Sequence, residues 1–137
     1  MAQPHILAFD GITPVDRGDG IFSRPLVGAS LGATVFSNGI TTFPPKRGLP
    51  LHTHNVDESV TILEGSAMVE VDGTTKRLKA YDTSFVPAGV PHRFVNVGRG
   101  KMSILWVYGG VQVTRTFVDT GETVKQLSDE DKRGRRE

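Results

Sequence analysis

The 137-residue chain contains no cysteine, so it has neither a disulfide framework nor thiolate chemistry. No apolar run approaches the roughly 18 residues of a membrane span, and the first residues lack the basic and apolar regions of a secretory signal. An excess of one charge is also lacking, because the formal net charge is only +1. These absences predict a soluble cytoplasmic protein whose partners include neither nucleic acid nor a membrane.

The composition is that of one ordinary globular domain, with 37% hydrophobic and 23% charged residues. Sixteen glycines and eight prolines divide the chain into short segments, many of them rich in Val, Ile, Thr and Phe, which predicts an all-β domain. The predicted strands are Ala33–Phe36, Gly39–Phe43, Pro50–His54, Glu58–Glu64, Ala67–Val71, Thr74–Leu78, Thr83–Val86, His92–Asn96, Lys101–Tyr108 and Val111–Phe117.

Two short polar segments predict hairpin turns. Asp72-Gly73 is the strongest local hairpin signal and joins two predicted strands. A second turn is expected at Ser37-Asn38-Gly39. Glu58, Val60 and Ile62 alternate along one strand and should share its inward face, which would give the domain an apolar lining.

Four side chains form a complete set of metal ligands. In the motif His52-x-His54-x3-Glu58 the two histidines share one face of a strand, with Cα atoms roughly 7 Å apart, so both imidazoles can reach one ion. The polar residues before Glu58 can turn the chain and aim its carboxylate at the same point. His92 must arrive from a distant strand. This set of three nitrogens and one oxygen suits one divalent transition metal per chain, namely Fe, Mn, Ni, Co, Cu or Zn.

The spacing of these ligands resembles the motifs of the cupin family. The first motif, G-x5-H-x-H-x3,4-E-x6-G, is matched from Gly48 to Gly65, with two residues fewer after the first glycine. The second, G-x5-P-x-G-x2-H-x3-N, is matched by Pro87-Ala88-Gly89-Val90-Pro91-His92-Arg93-Phe94-Val95-Asn96. Tyr81 stands where this second motif begins with glycine, which predicts a changed turn at the rim of the barrel without loss of the site.

The resemblance implies a double-stranded β-helix, a small jelly-roll barrel with a metal near one open end. By this analogy His52, His54, Glu58 and His92 are the metal ligands, and a homodimer is expected. Residues 26–120 would form the barrel. Residues 1–25 would pack on the barrel or on a partner subunit, and residues 121–137 would form a partly disordered tail.

An ion with four protein ligands keeps one or two positions for water, dioxygen or a small-molecule substrate. The first functional hypothesis is a metalloenzyme that carries out dioxygenase-type oxidation of a diol or enol, with Glu58 as general base. The second is a redox-neutral isomerase, decarboxylase or lyase that uses the metal as a Lewis acid. The third is a small-molecule-binding or sensor protein without catalysis. The sequence does not select the substrate, the metal or the reaction.

For other polar residues the sequence gives weaker evidence of a functional role. Arg24, Arg47 and Arg93 are candidates for binding a carboxylate or phosphate, although solvated positions are favoured for all three. Tyr108 ends a predicted strand and is a candidate for a hydroxyl beside the metal ligands. His5 lies near the N-terminus without a partner motif and is expected to be incidental.

Overall fold

The computed structural model describes residues 2–136, with the backbone alone for Arg135 and Arg136. The strands are β1 (Val15–Gly18), β2 (Ile21–Pro25), β3 (Ser37–Phe43), β4 (Arg47–Gly48), β5 (His52–His54), β6 (Glu58–Glu64), β7 (Ala67–Val71), β8 (Thr74–Leu78), β9 (Thr83–Val86), β10 (His92–Asn96), β11 (Met102–Tyr108), β12 (Thr114–Phe117), β13 (Thr123–Lys125) and β14 (Arg135–Arg136). Short 3-10 helices occupy Phe9–Gly11, Ala29–Leu31 and Asp129–Asp131. The prediction of an all-β domain is confirmed. Within residues 2–136 no helix is long and apolar enough to cross a membrane.

Two antiparallel sheets enclose one core. The first has the strand order β1-β2-β3-β11-β6-β9, and the second has the order β13-β12-β5-β10-β4-β14, with β7 pairing to β10 and β8 to β7. Side chains of both sheets meet in a single buried apolar cluster, including Phe43 of β3, Ile62 of β6 and Phe94 of β10. Burying this surface is the main favourable term in folding such a domain.

The alternation expected along β6 is present, because Glu58, Val60 and Ile62 are buried while their neighbours are partly exposed. The Asp72-Gly73 turn is also confirmed. Both residues have positive φ, 51° and 82°, as a two-residue hairpin requires, and β7 and β8 pair on either side of them.

The predicted strand Ala33–Phe36 and the predicted turn at Ser37-Asn38-Gly39 are wrong. The chain turns before residue 37, and all three turn residues belong to β3, which pairs with β11. Gly39 lies opposite Trp106, and a Cβ atom at Gly39 would collide with the indole ring and come within 2.8 Å of the Arg24 carbonyl oxygen. Glycine is needed there for close packing, and sequence patterns do not separate that need from a turn.

Both ends of the described chain contribute to the sheets. Residues 1–25, expected to pack on the barrel or a partner, include the β1–β2 hairpin, and β2 pairs with β3. Residues 121–137 were expected to be a partly disordered tail. The described part of this segment contains β13, paired with β12, and the 3-10 helix whose Asp131 is 1% exposed.

Tyr81 adopts a φ of 74°, in the left-handed region that glycine favours. Its amide donates a hydrogen bond to the Ile62 carbonyl, and the Ile62 amide donates to the Asp82 carbonyl. The turn therefore keeps a left-handed residue although glycine is replaced, because backbone hydrogen bonds to β6 hold it on both sides.

Replacing Gly39 by alanine should lower the free energy of unfolding by about 1–3 kcal/mol, the usual range for an overpacked core. The added methyl group would press on the Trp106 ring. Urea denaturation would measure the loss. The matched control is Gly100→Ala, since a Cβ at Gly100 meets no atom within 4 Å. Equal stability of the two variants would contradict this account of Gly39.

Candidate metal site

Three histidine side chains meet inside the barrel. His52 and His54 lie on β5, and His92 begins β10, where it is paired in register with His52. All three are at most 4% exposed. One ring nitrogen from each lies within 4.8 Å of the others, so the three could hold a metal ion.

Each imidazole is oriented by a hydrogen bond from its Nδ1 to a backbone carbonyl. The distances are 2.7 Å from His52 to Pro50, 2.9 Å from His54 to Thr114 and 2.9 Å from His92 to Val90. A carbonyl oxygen only accepts, so in a neutral ring Nδ1 carries the proton and Nε2 keeps its lone pair. This is the tautomer that ligates a metal through Nε2.

Glu58, the first residue of β6, brings a carboxylate to the same point. Its Oε1 lies 2.9 Å from Nε2 of His92 and 3.8 Å from Nε2 of His54. Within the described chain, neither this Oε1 nor the His92 Nε2 has a hydrogen-bond partner, although both are buried. Two unpartnered electron-pair donors at this separation are what a shared cation would satisfy. The residues present therefore fit a metal.

The environment keeps the imidazoles of His52 and His54 neutral. Burial lowers the pKa of His52 and of His54 well below the ordinary value, and the positive charge of Arg115 lowers both further. Neutral imidazole is the form that binds metal, because protonation occupies the lone pair.

Tyr108, the last residue of β11, lies beside the histidines. Its hydroxyl is 3.3 Å from Nε2 of His54 and 3.4 Å from Nε2 of Gln126, which donates a hydrogen bond to it. Burial raises the pKa of Tyr108 well above its usual value, and the charge of Glu58 raises it further. The phenol is therefore protonated at neutral pH, and its hydroxyl can donate a hydrogen bond within the site.

A buried charge cluster adjoins the histidines. Arg17 of β1 and Arg115 of β12 each form an ion pair with Asp131, at 3.0 Å in both cases, and all three side chains are at most 3% exposed. Arg17 also donates to Ser23 at 2.8 Å. Burial and the charge of Arg115 lower the pKa of Arg17 to about 10, so it stays a cation at neutral pH.

Sequence reasoning missed this cluster. The arginines it considered have other contacts: Arg24 stacks on the ring of Phe9, Arg47 pairs with Asp19 at 2.8 Å, and Arg93 pairs with Glu70 at 3.0 Å. A signal for Arg115 was nevertheless present. It alternates with Val113 and Phe117, both buried, so its side chain occupies an inward position of a β-strand.

A small cavity of about 20 Å³ lies between part of the histidine site and the two arginines of the charge cluster. Among its lining residues are His52, Glu58, Tyr108, Arg17 and Arg115. A cavity of this size has room for about one water molecule. A larger hollow of about 650 Å³ shares no lining residue with it. That hollow lies on the outer face of the first sheet and is not the metal site.

The chain belongs to the cupin domain family. The family model for the cupin domain matches residues 39–108, which is just over half of the chain and includes all four proposed ligands. The solved polyketide cyclase RemF from Streptomyces resistomycificus has the same fold, with a TM-score of 0.71 at 20% identity over 95% of this chain and 90% of that one. The predicted cupin jelly roll is thereby confirmed.

Two relatives from Streptomyces are similar in sequence. Protein SchB of Streptomyces halstedii is 28% identical over 124 residues, which are 88% of this chain and 90% of SchB. Polyketide synthase CurC of Streptomyces cyaneus is 30% identical over 97 residues, or 70% of this chain. The match spans 63% of CurC, less than two thirds of its length.

The His54→Ala variant should lose most of its bound metal while keeping its fold, because one of the clustered nitrogens is removed from a position inside a preformed barrel. Elemental analysis of protein purified without a histidine tag would measure the metal, and circular dichroism would report the fold. His5→Ala is the control, since His5 is exposed and remote in sequence from both motifs. Stoichiometric metal in folded His54→Ala would show that the site is misassigned.

Replacing Asp131 by alanine should destabilise the fold by about 3–5 kcal/mol, as expected when one partner of a buried ion pair is removed. Two guanidinium groups would lose their counter-charge. The matched control is Asp129→Ala, two residues away and exposed. Similar urea midpoints for the two variants would mean that the Asp131 ion pairs add nothing to stability.

Proposed function

We propose that this protein is a metal-dependent enzyme that acts on a small enol, diol or enolisable carbonyl compound. The observation that carries the proposal is the cluster of three buried imidazoles whose Nδ1 atoms are all engaged by carbonyl groups, so that each ring keeps its Nε2 lone pair for an ion. The Nε2 of His54 also lies 3.3 Å from the Tyr108 hydroxyl. A buried site of this kind, beside a cavity and a protonated phenol, supports chemistry more than simple structural binding.

We assign Glu58 as the fourth ligand, beside His52, His54 and His92. Its unpartnered Oε1, 2.9 Å from the His92 nitrogen, supports this assignment. A divalent Fe, Mn, Ni, Co, Cu or Zn ion held there would supply Lewis acidity, and a redox-active one would also allow reaction with dioxygen.

Two side chains are placed to move protons. A Glu58 carboxylate that has left the ion can accept the proton of a substrate hydroxyl or of a carbon next to a carbonyl, in the role of general base. The Tyr108 hydroxyl, which is buried and protonated, can donate a proton to a developing enolate oxygen. The pair provides a base and an acid that face the same cavity of the barrel.

The first candidate reaction is dioxygenase-type oxidation of a diol or enol. The second is a redox-neutral reaction, such as isomerisation, cyclisation or decarboxylation, and two observations favour it. The Glu58 and Tyr108 pair needs no oxidant for proton transfer, and the names of two similar proteins, CurC and RemF, refer to polyketide synthesis and polyketide cyclisation.

Metal analysis followed by an oxygen electrode would test the proposal. Protein purified without a histidine tag should contain about one transition metal ion per chain, and the His92→Ala variant should have lost it, because His92 supplies one of the clustered nitrogens. The metal-loaded protein would then be screened with catechols, other enols and 1,3-dicarbonyl compounds, while both oxygen uptake and product formation are followed.

Oxygen uptake that depends on substrate, and is absent in His92→Ala, would support the oxidation. Product formation without oxygen uptake would support the redox-neutral reaction. Thermal stabilisation by a ligand without any turnover would instead indicate a binding or sensor protein and would overturn the proposal of an enzyme. Absence of metal from the wild-type protein would overturn it as well.

A further inference from the structure

Arg115 carries a polar group that the fold leaves without a partner. Its side chain is 3% exposed, and it lies on β12 directly opposite His54 in the strand register. Its Nε is paired with Asp131, yet its buried Nη1 has no hydrogen-bond acceptor anywhere in residues 2–136. Leaving a charged donor desolvated and unpaired is costly, so a ligand that supplies an acceptor would be favoured.

The charges around this group also favour an anion. Arg17 and Arg115 share the single carboxylate of Asp131, so the second positive charge of the cluster is balanced only by the Glu58 carboxylate of the proposed metal site. Both guanidinium groups line the same cavity as His52 and Glu58. A divalent ion bound at the proposed site would take up the Glu58 charge and leave the interior with a net positive charge, which favours an anion.

We propose that Arg115 binds an anionic oxygen of the substrate, a carboxylate or enolate, through its free Nη1 inside the barrel, with Asp131 as the residue that positions it. This inference rests on the proposed function, since it names the class of molecule that enters the same site. The guanidinium group is suited to the role because its donors are planar and it stays charged when buried.

The rest of the substrate is assigned to an adjoining groove of about 370 Å³. This groove shares two lining residues, Trp106 and Gln126, with the inner cavity. Its walls are largely apolar, with Leu26, Val113 and Leu127 among them. A molecule with an anionic head and an apolar body fits both spaces, provided that the Gln126 side chain moves aside, because the inner cavity alone has room for only about one water molecule.

A competing explanation of this charge cluster is purely structural. In it the ion pairs of the two arginines with Asp131 would only stabilise the packing of the N-terminal and C-terminal segments against the barrel. The two explanations differ in what they predict for ligands. A structural cluster gives no preference between a carboxylate and its neutral amide, whereas a binding site with a free charged donor does. The chain has a single tryptophan, Trp106, which lines both spaces and so provides a fluorescence reporter at the site.

The experiment is a fluorescence titration of the metal-loaded protein with 3-phenylpropanoate and, separately, with its neutral isostere 3-phenylpropanamide. We expect a saturable change in Trp106 fluorescence with the carboxylate. The affinity for the amide should be weaker by about tenfold or more, because hydrogen bonds that involve two charged groups are stronger than those to a neutral group. Equal affinity for the two compounds, or no saturable change with the carboxylate, would overturn the proposal.

The Arg115→Lys variant tests the residue itself. Lysine keeps the positive charge that Asp131 needs, so the fold is preserved, but it lacks the planar Nη1 donor. We expect its affinity for 3-phenylpropanoate to fall about tenfold with little change for the amide. Arg77→Lys, on the exposed strand β8, is the matched control and should bind both compounds as the wild type does. Unchanged carboxylate affinity in Arg115→Lys would overturn the proposal.

A further titration separates this inference from the proposed function. In the metal-free His92→Ala variant, a preference for the carboxylate that still depends on Arg115 would support the anion site even if the enzyme assignment fails. A preference that disappears in His92→Ala and is insensitive to Arg115→Lys would mean that the metal alone holds the carboxylate, which overturns the role of Arg115. Metal content, measured on the same samples, reports on the proposed function independently.

Discussion

The carboxylate of Asp131 is the group on which the polar interior of this barrel depends. It pairs with Arg17 from the N-terminal hairpin and with Arg115 from β12, at 3.0 Å each, and it accepts a hydrogen bond from the Leu127 amide at 2.9 Å. Two guanidinium groups cannot remain buried without a counter-charge. Because the three charged groups come from both ends of the described chain and from the barrel itself, one interaction joins the termini to the wall that carries the histidines.

The three clustered histidines are held by the backbone to a comparable degree. His52 and His92 each donate from Nδ1 to the carbonyl two residues earlier, at Pro50 and Val90, so each ring is oriented by its own chain segment. His54 instead uses the Thr114 carbonyl of the paired strand β12. The orientation of His54 therefore depends on the same strand that carries Arg115. Displacement of β12 would disturb the His54 ring and the Arg115 side chain together.

Much of this arrangement is readable from the sequence where the pattern is local. The His52-x-His54-x3-Glu58 spacing, the Asp72-Gly73 turn and the alternation in β6 each depend on a few neighbouring residues, and these features are present in the structure. The features that the sequence did not predict depend on residues far apart in the chain. Glycine is required at position 39 by the Trp106 ring, which is 67 positions away in the sequence. The Arg17–Asp131 pair spans 114 positions. A carboxylate in a charged, polar terminal segment carries no local sign that it will be buried.

The balance of charge inside the barrel connects these features to function. Two guanidinium groups face two carboxylates, those of Glu58 and Asp131, so the interior is neutral before any ion is added. A divalent metal ion would add two positive charges in a space that excludes bulk water, where electrostatic effects are strong. Neutral imidazoles and a protonated Tyr108 do nothing to offset that charge. With a metal bound, the site would consequently be most complementary to an anion. Under the proposed function, a substrate that becomes an enolate during reaction would gain more from this field in the transition state than in its ground state.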